Sequence, residues 1–246
     1  MSKIFRDINK ELTIKSDGSD VITIVLIGDT NINYELNNGV YKLLVFNNSN
    51  NDITINEDGI INNSEVEINY IDLNDYKFVQ NNKIVVNKNS SLTINSTYLG
   101  TNIKNIDFDL INNQNNSLVN ISNNVVCLNG ADFNLNVVGE IVKGAKNSKC
   151  FQKSRCLTFE SPKAAKVLPV LKIDENDVEA SHSLSSGTID EDVLFYMNSR
   201  GLNKKEALGL LLVSYLMPND EFYKQFEGGL EIKEIADRKV ENVCSM

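Results

Sequence analysis

A long alternation of apolar and polar residues, with a period of two, is the feature that most limits how this chain can fold. It extends over residues 11–156 in short segments that are separated by clusters of Asn, Asp, Gly and Ser. Typical segments are residues 21–27, 31–36, 52–56, 91–95, 107–110 and 132–137. Such alternation places one side of each segment in a core and the other side in solvent. The sequence therefore predicts an all-β region built from many short strands.

The choice of architecture follows from how the segments are connected. Helical crossovers are absent between them, which excludes a doubly wound α/β sheet and leaves a sandwich, a barrel or a coiled solenoid. Regular short spacing over more than a hundred residues favours a parallel β-helix. Abundant Asn also favours it, because Asn amides can stack between neighbouring coils. The recurrence has no fixed motif per turn, and an AT-rich genome would also enrich Asn, so a repeat is not proven.

The pattern becomes helical after Lys172. Thr188 is followed three residues later by Glu191, the spacing of a capping box, which predicts a helix from there to about Arg200. A Gly at position 201 is suited to end it.

A second capping box is formed by Asn203 and Glu206, and it opens a strongly apolar helix over residues 207–217. Pro follows directly at position 218 and ends that helix. Two further helices are expected over residues 221–226 and about 230–242. The chain therefore ends in a helical tail of about fifty residues.

Charge and composition exclude several classes of partner. The 246 residues carry a net charge of −9 with a pI of about 4.8, which argues against nucleic-acid and anionic lipid surfaces. Apolar runs are too short to span a bilayer, and residues 1–10 lack the apolar core of a secretory signal. We therefore expect a cytoplasmic protein that binds neither nucleic acid nor membrane. The four cysteines form no Cys-x-x-Cys pair and would remain thiols in a reducing compartment.

An ordered series of short motifs extends over residues 151–216. The series consists of Gln152 and Arg155, Pro169-Val170-Leu171-Lys172-Ile173, Asp177-Val178-Glu179-Ala180-Ser181-His182, Gly187, Ile189-Asp190-Glu191, Leu194-Phe195-Tyr196, Ser199-Arg200-Gly201 and Glu206-Ala207. It resembles the SufB/SufD family, the scaffold proteins of iron–sulfur cluster assembly, over about a quarter of the chain. The β-rich part before it agrees with the family only in its alternating apolar and polar pattern.

Within the family the chain is similar to SufD rather than SufB. SufB-type chains carry Glu at the position of His182, and their reactive Cys aligns near Ser154 rather than on Cys156. The helical N-terminal domain of full-length members has no counterpart here, so we expect a short form. Functions assigned to that domain are not carried over.

The resemblance implies a mainly β fold, with a right-handed parallel β-helix over residues 1–185 and a small α-helical domain over residues 186–246. It implies a non-catalytic scaffold that pairs with a SufB-type chain, or with itself, through the C-terminal end of the β-helix. The helical domain would dock a SufC-type ABC ATPase, since this chain has no Walker motif of its own. A transient iron–sulfur cluster would form at the subunit interface, with none permanently bound.

The resemblance also selects the candidate ligands. His182, the only histidine, is expected to bind metal, and with Cys156 it is the predicted cofactor-binding residue. Cys150 lies six residues from Cys156, which places both side chains on one face of a shared strand. We interpret Cys150 and Cys127 as buried apolar residues. Cys244, close to the C-terminus, has no readable role.

Other features have simpler interpretations. Asp190, Glu191 and Asp192 complement the positive end of a helix dipole and are not expected to be catalytic. The apolar helix over residues 207–217 is either a buried core element or a docking surface.

Two alternative functions compete with the scaffold. A carbohydrate-active or adhesive β-helix is disfavoured by the lack of a paired-acid groove and of an export signal. A degenerate family member that acts as a structural homodimer, without cluster chemistry, is the second alternative.

Overall fold

The computed structural model describes residues 1–128, 131–158 and 165–245. In these residues the chain forms fifteen β-strands followed by four α-helices. The strands are β1 (Ser2–Ile8), β2 (Glu11–Asp17), β3 (Asp20–Leu26), β4 (Thr30–Asn37), β5 (Val40–Asn47), β6 (Ile53–Asn62), β7 (Glu65–Asp72), β8 (Phe78–Val86), β9 (Ser91–Gly100), β10 (Ile103–Asn112), β11 (Leu118–Cys127), β12 (Asp132–Ile141), β13 (Ser148–Thr158), β14 (Lys166–Ile173) and β15 (Val178–Thr188). The helices are α1 (Glu191–Ser199), α2 (Lys204–Leu216), α3 (Asp220–Lys224) and α4 (Gly229–Ser245).

Consecutive strands alternate between two parallel sheets. Sheet A holds the eight odd-numbered strands in the order β1-β3-β5-β7-β9-β11-β13-β15, and sheet B holds the seven even-numbered strands from β2 to β14. Each strand pairs in parallel with the strand two positions away along the chain. Every two strands therefore complete one coil, and the predicted parallel β-helix is confirmed.

The space between the two sheets is filled by the inward side chains of every coil. In β12, for example, burial alternates strictly, so that Phe133, Leu135 and Val137 face inward. The inward residues of both sheets form one continuous apolar cluster that extends from Leu12 to Cys156. Burying an aliphatic or aromatic side chain of this size contributes about 1.5–3 kcal/mol. The alternation read from the sequence is thus the inward and outward pattern of the coils.

Ladders of Asn side chains connect the coils on their outer surface. Asn62 donates to Asn37 at 2.9 Å, Asn87 donates to Asn62 at 2.7 Å, and Asn113 continues the ladder to Asn87 at 2.8 Å. A shorter ladder runs from Asn81 through Asn56 to Asn31, at 2.9 and 3.0 Å. The amide stacking that favoured a β-helix in the sequence is present.

A third ladder follows a turn between the strands of successive coils, where Asn adopts a left-handed backbone. Asn38, Asn63, Asn89, Asn116 and Asn147 all have φ between 46° and 58°, a conformation that Asn tolerates better than most residues. Ladder partners in the coils are separated by 21, 25, 27 and 31 residues along the chain. The coils therefore lengthen toward the C-terminus, which explains why no fixed repeat is visible in the sequence.

The helix ends agree with the sequence in one case and differ in another. The capping box of Asn203 and Glu206 is present at the start of α2. The predicted N-cap of α1 at Thr188 is wrong, because Asp190 caps the helix by accepting from the backbone N–H of Asp192 at 2.9 Å. Thr188 instead pairs with Thr158 as the last residue of β15. None of the described helices is long and apolar enough to cross a membrane.

The helices pack against the outer face of sheet A. Buried side chains of the helices, such as Leu212 and Tyr223, share one cluster with outward residues of the strands, such as Leu44 and Phe46. Polar contacts join the same surfaces, including a 2.9 Å hydrogen bond from the Thr23 hydroxyl to the Glu227 carbonyl. β15 extends past the predicted boundary at residue 185, and the division into two domains stays a prediction.

Candidate functional site

The C-terminal end of the β-helix is an open edge. β15 is the last strand of sheet A and β14 is the last strand of sheet B. All residues of β15 after Val178 are exposed, although its partner β13 alternates between buried and exposed positions. An uncovered edge strand offers backbone N–H and C=O groups to another chain. The final coil therefore combines unpaired backbone with side chains that a further coil would bury.

His182 lies in the middle of this edge. It is opposite Gln152 of β13, whose side chain faces the interior and is 3% exposed. Residues two apart on a strand share a face, so Ala180, His182 and Leu184 point in the same direction as the interior positions of earlier coils. In the part of the chain that the structure describes, no further coil covers them, and His182 is exposed. The imidazole is thus presented at the open end rather than packed in the core.

Gln152 supports this position from the coil below. Its side-chain Nε2 donates to the Val170 carbonyl at 3.1 Å, which connects the two sheets at the last complete coil. Its Oε1 is buried and makes no hydrogen bond. The last complete coil therefore carries an unpaired buried acceptor at the position directly opposite His182.

Cys156 is on β13, but the structure does not bring it to His182. It is 3% exposed, faces the interior, and lies opposite Ser186, which is four residues beyond His182 on β15. Four residues of a strand span about 13 Å. Within one chain the two predicted ligands therefore cannot bind the same small cluster.

The positions of the remaining cysteines follow from the elements on which they lie. Cys150 shares the inward face of β13 with Cys156, as expected from their even spacing. Burial raises the pKa of its thiol to about 12, so it stays protonated. The thiol packs closely against the backbone of Gly139, because a Cβ at that position would lie 2.5 Å from the Cys150 Sγ. Cys127 is 1% exposed in the core, as expected. Cys244 is in α4, and its side chain is outside the described part of the chain.

The helical part exposes several large apolar side chains. Phe195 is 74% exposed, Tyr196 58% and Leu210 54%. The opposite side of α2 is buried through Ala207, Leu208, Leu212 and Leu216. The apolar helix predicted from the sequence is thus both a core element and a source of exposed apolar surface. Arg155 of β13 stacks over the Tyr215 ring of α2 at 4.8 Å and joins the last coils to the helices.

Sequence reasoning missed the polar groups inside the β-helix. Glu57 is fully buried and accepts a hydrogen bond from the Tyr70 hydroxyl, which in turn accepts from the Asn82 amide. Lys104 and Asp72 form a buried ion pair at 2.7 Å. A polar residue at an inward position of an alternating segment, as in Ile53-Thr54-Ile55-Asn56-Glu57, is the signal that marks such groups.

Comparison with known proteins agrees with the fold and motifs. The family model described as "SUF system FeS cluster assembly, SufBD core domain" matches residues 29–215, about three quarters of the chain. The iron–sulfur cluster assembly protein SufD of Bacillus subtilis (strain 168) is 39% identical over 83 residues, which is 34% of this chain and 19% of that protein. SufD of Escherichia coli (strain K12) is 36% identical over 47 residues, which is 19% of this chain and 11% of that protein.

A more distant relative gives a longer match. An iron–sulfur cluster assembly SufBD family protein of Mycobacterium tuberculosis (strain ATCC 25618 / H37Rv) is 27% identical over 103 residues, or 42% of this chain. These matches cover 11–19% of the length of the relatives. The family model includes β15 with His182, and α1 and most of α2. On the extent of that match, the chain belongs to the SufBD family of iron–sulfur cluster assembly proteins, and it is SufD-like.

Proposed function

We propose that this protein is a SufD-like, non-catalytic scaffold subunit in the cytoplasm. Its C-terminal β-helix edge pairs with a SufB-type chain, and an iron–sulfur cluster is assembled transiently at that interface. His182 binds iron of the nascent cluster from this side. The observation that carries the proposal is the position of His182 on β15, exposed and facing outward from the end of the coil interior.

The chemistry of the edge supports pairing between two chains. β15 has free backbone groups along eleven residues, and inward-type side chains such as Leu184, 45% exposed, lie beside His182. A second β-helix end placed against this one would bury Leu184 and satisfy the strand edge. Since His182 and Cys156 are too far apart to act together, the other ligands of the cluster come from the partner chain.

The helical part is proposed to bind the ATPase. Phe195 and Tyr196 of α1 and Leu210 of α2 remain exposed. The opposite side of α2 is packed against the β-helix. Aromatic residues on an otherwise packed domain are typical anchors of protein interfaces. A SufC-type ABC ATPase is the partner that the family relationship favours.

Co-purification tests the scaffold role. The chain is co-expressed anaerobically with the SufB-type protein and the SUF ATPase of the same organism, as wild type and as Leu184→Asp. We expect a stable complex for the wild type. A carboxylate at position 184 should weaken pairing with the SufB-type chain and leave ATPase binding intact. Val40→Asp, at an exposed apolar position of β5 far from the edge, is the matched control.

The same experiment separates the competing function. Self-association of the wild type that Leu184→Asp disrupts, with no SufB-type chain or ATPase bound, would favour the structural homodimer. If Leu184→Asp and Val40→Asp retain the SufB-type chain to the same extent, the interface lies elsewhere on the molecule.

A further inference from the structure

The two ends of the β-helix differ in how well a strand of another chain can pair with them. At the C-terminal end, β15 matches β13 without interruption over eleven residue pairs. Besides Glu179 and His182, the side chains of β15 are small, hydroxylic or apolar. An edge of this kind is open to strand addition. At the N-terminal end, the edge strand of sheet A is β1, and it has the opposite properties.

A β-bulge interrupts β1. Phe5 is opposite Ile24 and Ile8 is opposite Leu26, so two residues of β1 lie across from a single residue of β3. Asp7, within the bulge, has a φ of 58°, which is a left-handed conformation. A bulge twists an edge strand and disrupts the row of backbone groups that a further strand would need. β1 is therefore a poor template for pairing.

β1 also turns a charged side chain toward the interior. Lys3 is opposite Ile22, a fully buried residue of the core, and therefore occupies an inward position. Its ammonium group forms an ion pair with Asp20 at 2.5 Å. A further coil placed on β1 would remove this pair from water, which is costly for charged groups. Inward charge on an edge strand disfavours strand addition for this reason.

The helices hold the outer face of β1 at the α3–α4 corner, which comprises residues 225–231. Arg6 forms an ion pair with Glu231. Gly228 packs against the same strand, because a Cβ at that position would lie 2.6 Å from the Arg6 Nη2 and 2.9 Å from the Ile4 Cδ1. The corner is also hydrogen-bonded to β3 and β5. These contacts hold the bulged strand in place.

Head-to-tail stacking of two copies would bring β15 against β1 and β14 against β2. Such a contact does not close on itself and leads to open fibres. The contact of β14 is weakened as well, because Pro169 has no N–H and the Val170 carbonyl already accepts from Gln152 at 3.1 Å. Stacking therefore depends on the pair of β15 with β1, which the bulge, Lys3 and the α3–α4 corner oppose.

We propose that these three features cap the N-terminal end of the β-helix. Association between β-helices then takes place through β15 alone, so that this protein forms closed pairs and not fibres. The inference rests on the proposed function in taking β15 as the pairing edge. It adds the reason why pairing stops at two chains.

The test removes the cap from this chain alone, in the absence of a SufB-type chain, the ATPase and a cluster. The uncapped variant combines Lys3→Val with deletion of Asp7, which restores strict alternation in β1 with Phe5 and Ile8 inward. Sedimentation velocity at increasing concentration and electron microscopy measure the size of the particles. We expect the wild type to remain at one or two chains and the uncapped variant to grow into fibres. Leu184→Asp, at the other end, should abolish that growth.

Val40→Asp in the uncapped variant is the matched control, because Val40 is an exposed apolar residue away from both ends, and it should leave the growth unchanged. Growth of the wild type beyond a pair would overturn the proposal, as would an uncapped variant that stays at the size of the wild type. Growth that Leu184→Asp does not reduce would also overturn it, since the fibres would then not use β15.

A second variant covers the case in which the deletion prevents folding, as judged by circular dichroism. Lys3→Val/Arg6→Ser keeps the length of the chain, removes the inward charge and the ion pair to α4, and is judged by the same outcomes. Co-purification with the SufB-type chain is read separately. A chain that binds the SufB-type protein but does not grow when uncapped overturns the cap alone. An uncapped variant that grows through β15 without any binding of the SufB-type protein supports the cap and contradicts the proposed function.

Discussion

The hydroxyl of Tyr70 donates a 2.5 Å hydrogen bond to the carboxyl group of Glu57 in the interior of the β-helix. Burial raises the pKa of Glu57 to about 7, although the hydrogen bond from Tyr70 opposes that shift. Asp58, on the same strand, raises the pKa further. The second carboxyl oxygen of Glu57 and the amide oxygen of Asn82 are buried without hydrogen bonds. The interior therefore favours a protonated, neutral carboxyl at position 57.

This pKa predicts how stability depends on pH. The ordinary pKa of Glu is 4.5, and the folded value is raised, so the folded chain holds a proton that the unfolded chain releases. The contribution is fully present below about pH 4.5 and is lost as the pH rises to about 7. Glu57→Gln, which resembles the neutral carboxyl, should abolish the fall and stabilise the protein at pH 8 by on the order of 3 kcal/mol. Urea unfolding at pH 4 and pH 8 measures the difference.

Glu65→Gln is the control for that experiment, because Glu65 is exposed at the start of the neighbouring β7. It should reproduce the wild-type dependence on pH. If Glu57→Gln shows the same fall between pH 4 and pH 8 as the wild type, Glu57 does not carry the titration.

The ion pair of Lys104 and Asp72 predicts an asymmetric mutational response. Both side chains are buried, and Asp72 also accepts a hydrogen bond from Asn47 at 3.0 Å. Lys104→Met leaves a buried carboxylate without its cation and should cost about 3–5 kcal/mol of unfolding free energy. The double variant Lys104→Met/Asp72→Asn should recover most of that loss. A double variant that is no more stable than Lys104→Met would show that pairing of charge is not the cause.

The Asn ladder predicts a smaller effect at the surface. Asn62 donates to Asn37 and accepts from Asn87, so Asn62→Ala removes two hydrogen bonds between three coils. We expect a loss of about 1–3 kcal/mol in denaturant unfolding. Asn50→Ala, at an exposed loop position, should change stability by less than about 0.5 kcal/mol. Equal effects of the two substitutions would mean that the ladder contributes no stability.

The proposed docking surface predicts a partner-specific loss. Phe195 is the most exposed aromatic residue of α1, and Phe195→Ser should weaken ATPase binding by about 2 kcal/mol, or roughly thirtyfold. The melting temperature should not fall, because the side chain is not packed in the core. Val40→Ser removes an exposed apolar residue from β5 and is expected to leave the affinity unchanged. Calorimetric titration with the ATPase provides both affinities, and an unchanged value for Phe195→Ser would reject this surface.

The sequence predicted the fold where local chemistry decides the structure. Alternation gave the strands, and the capping box at Asn203 gave the start of α2, because both depend on neighbouring residues. The predicted start of α1 was wrong because it depends on a distant residue. Thr188 is paired with Thr158, thirty residues away, and this strand pairing prevails over its capping potential. Long-range pairing of that kind is not visible in a local pattern.

The candidate site was also predictable only where local motifs determine it. Family motifs selected His182 and Cys156, but only the register of β13 and β15 shows that Ser186, not His182, is opposite Cys156. The placement of Cys127 opposite Thr158, and not opposite Cys156, depends equally on the register of β11 and β13. Coils of changing length conceal these registers, because residues that are neighbours in space are separated by a different number of positions in each coil.

Cluster assembly by the complex with and without His182 tests the central claim most directly. The wild-type and His182→Ala chains are each purified anaerobically with the SufB-type chain and the ATPase, and are reconstituted with iron and sulfide. Ser181→Ala, next to it on β15 but on the opposite face, is the matched control. We predict that all three complexes assemble, and that only His182→Ala loses the visible absorbance of the iron–sulfur cluster. A His182→Ala complex with the same cluster content as the wild type would contradict the account.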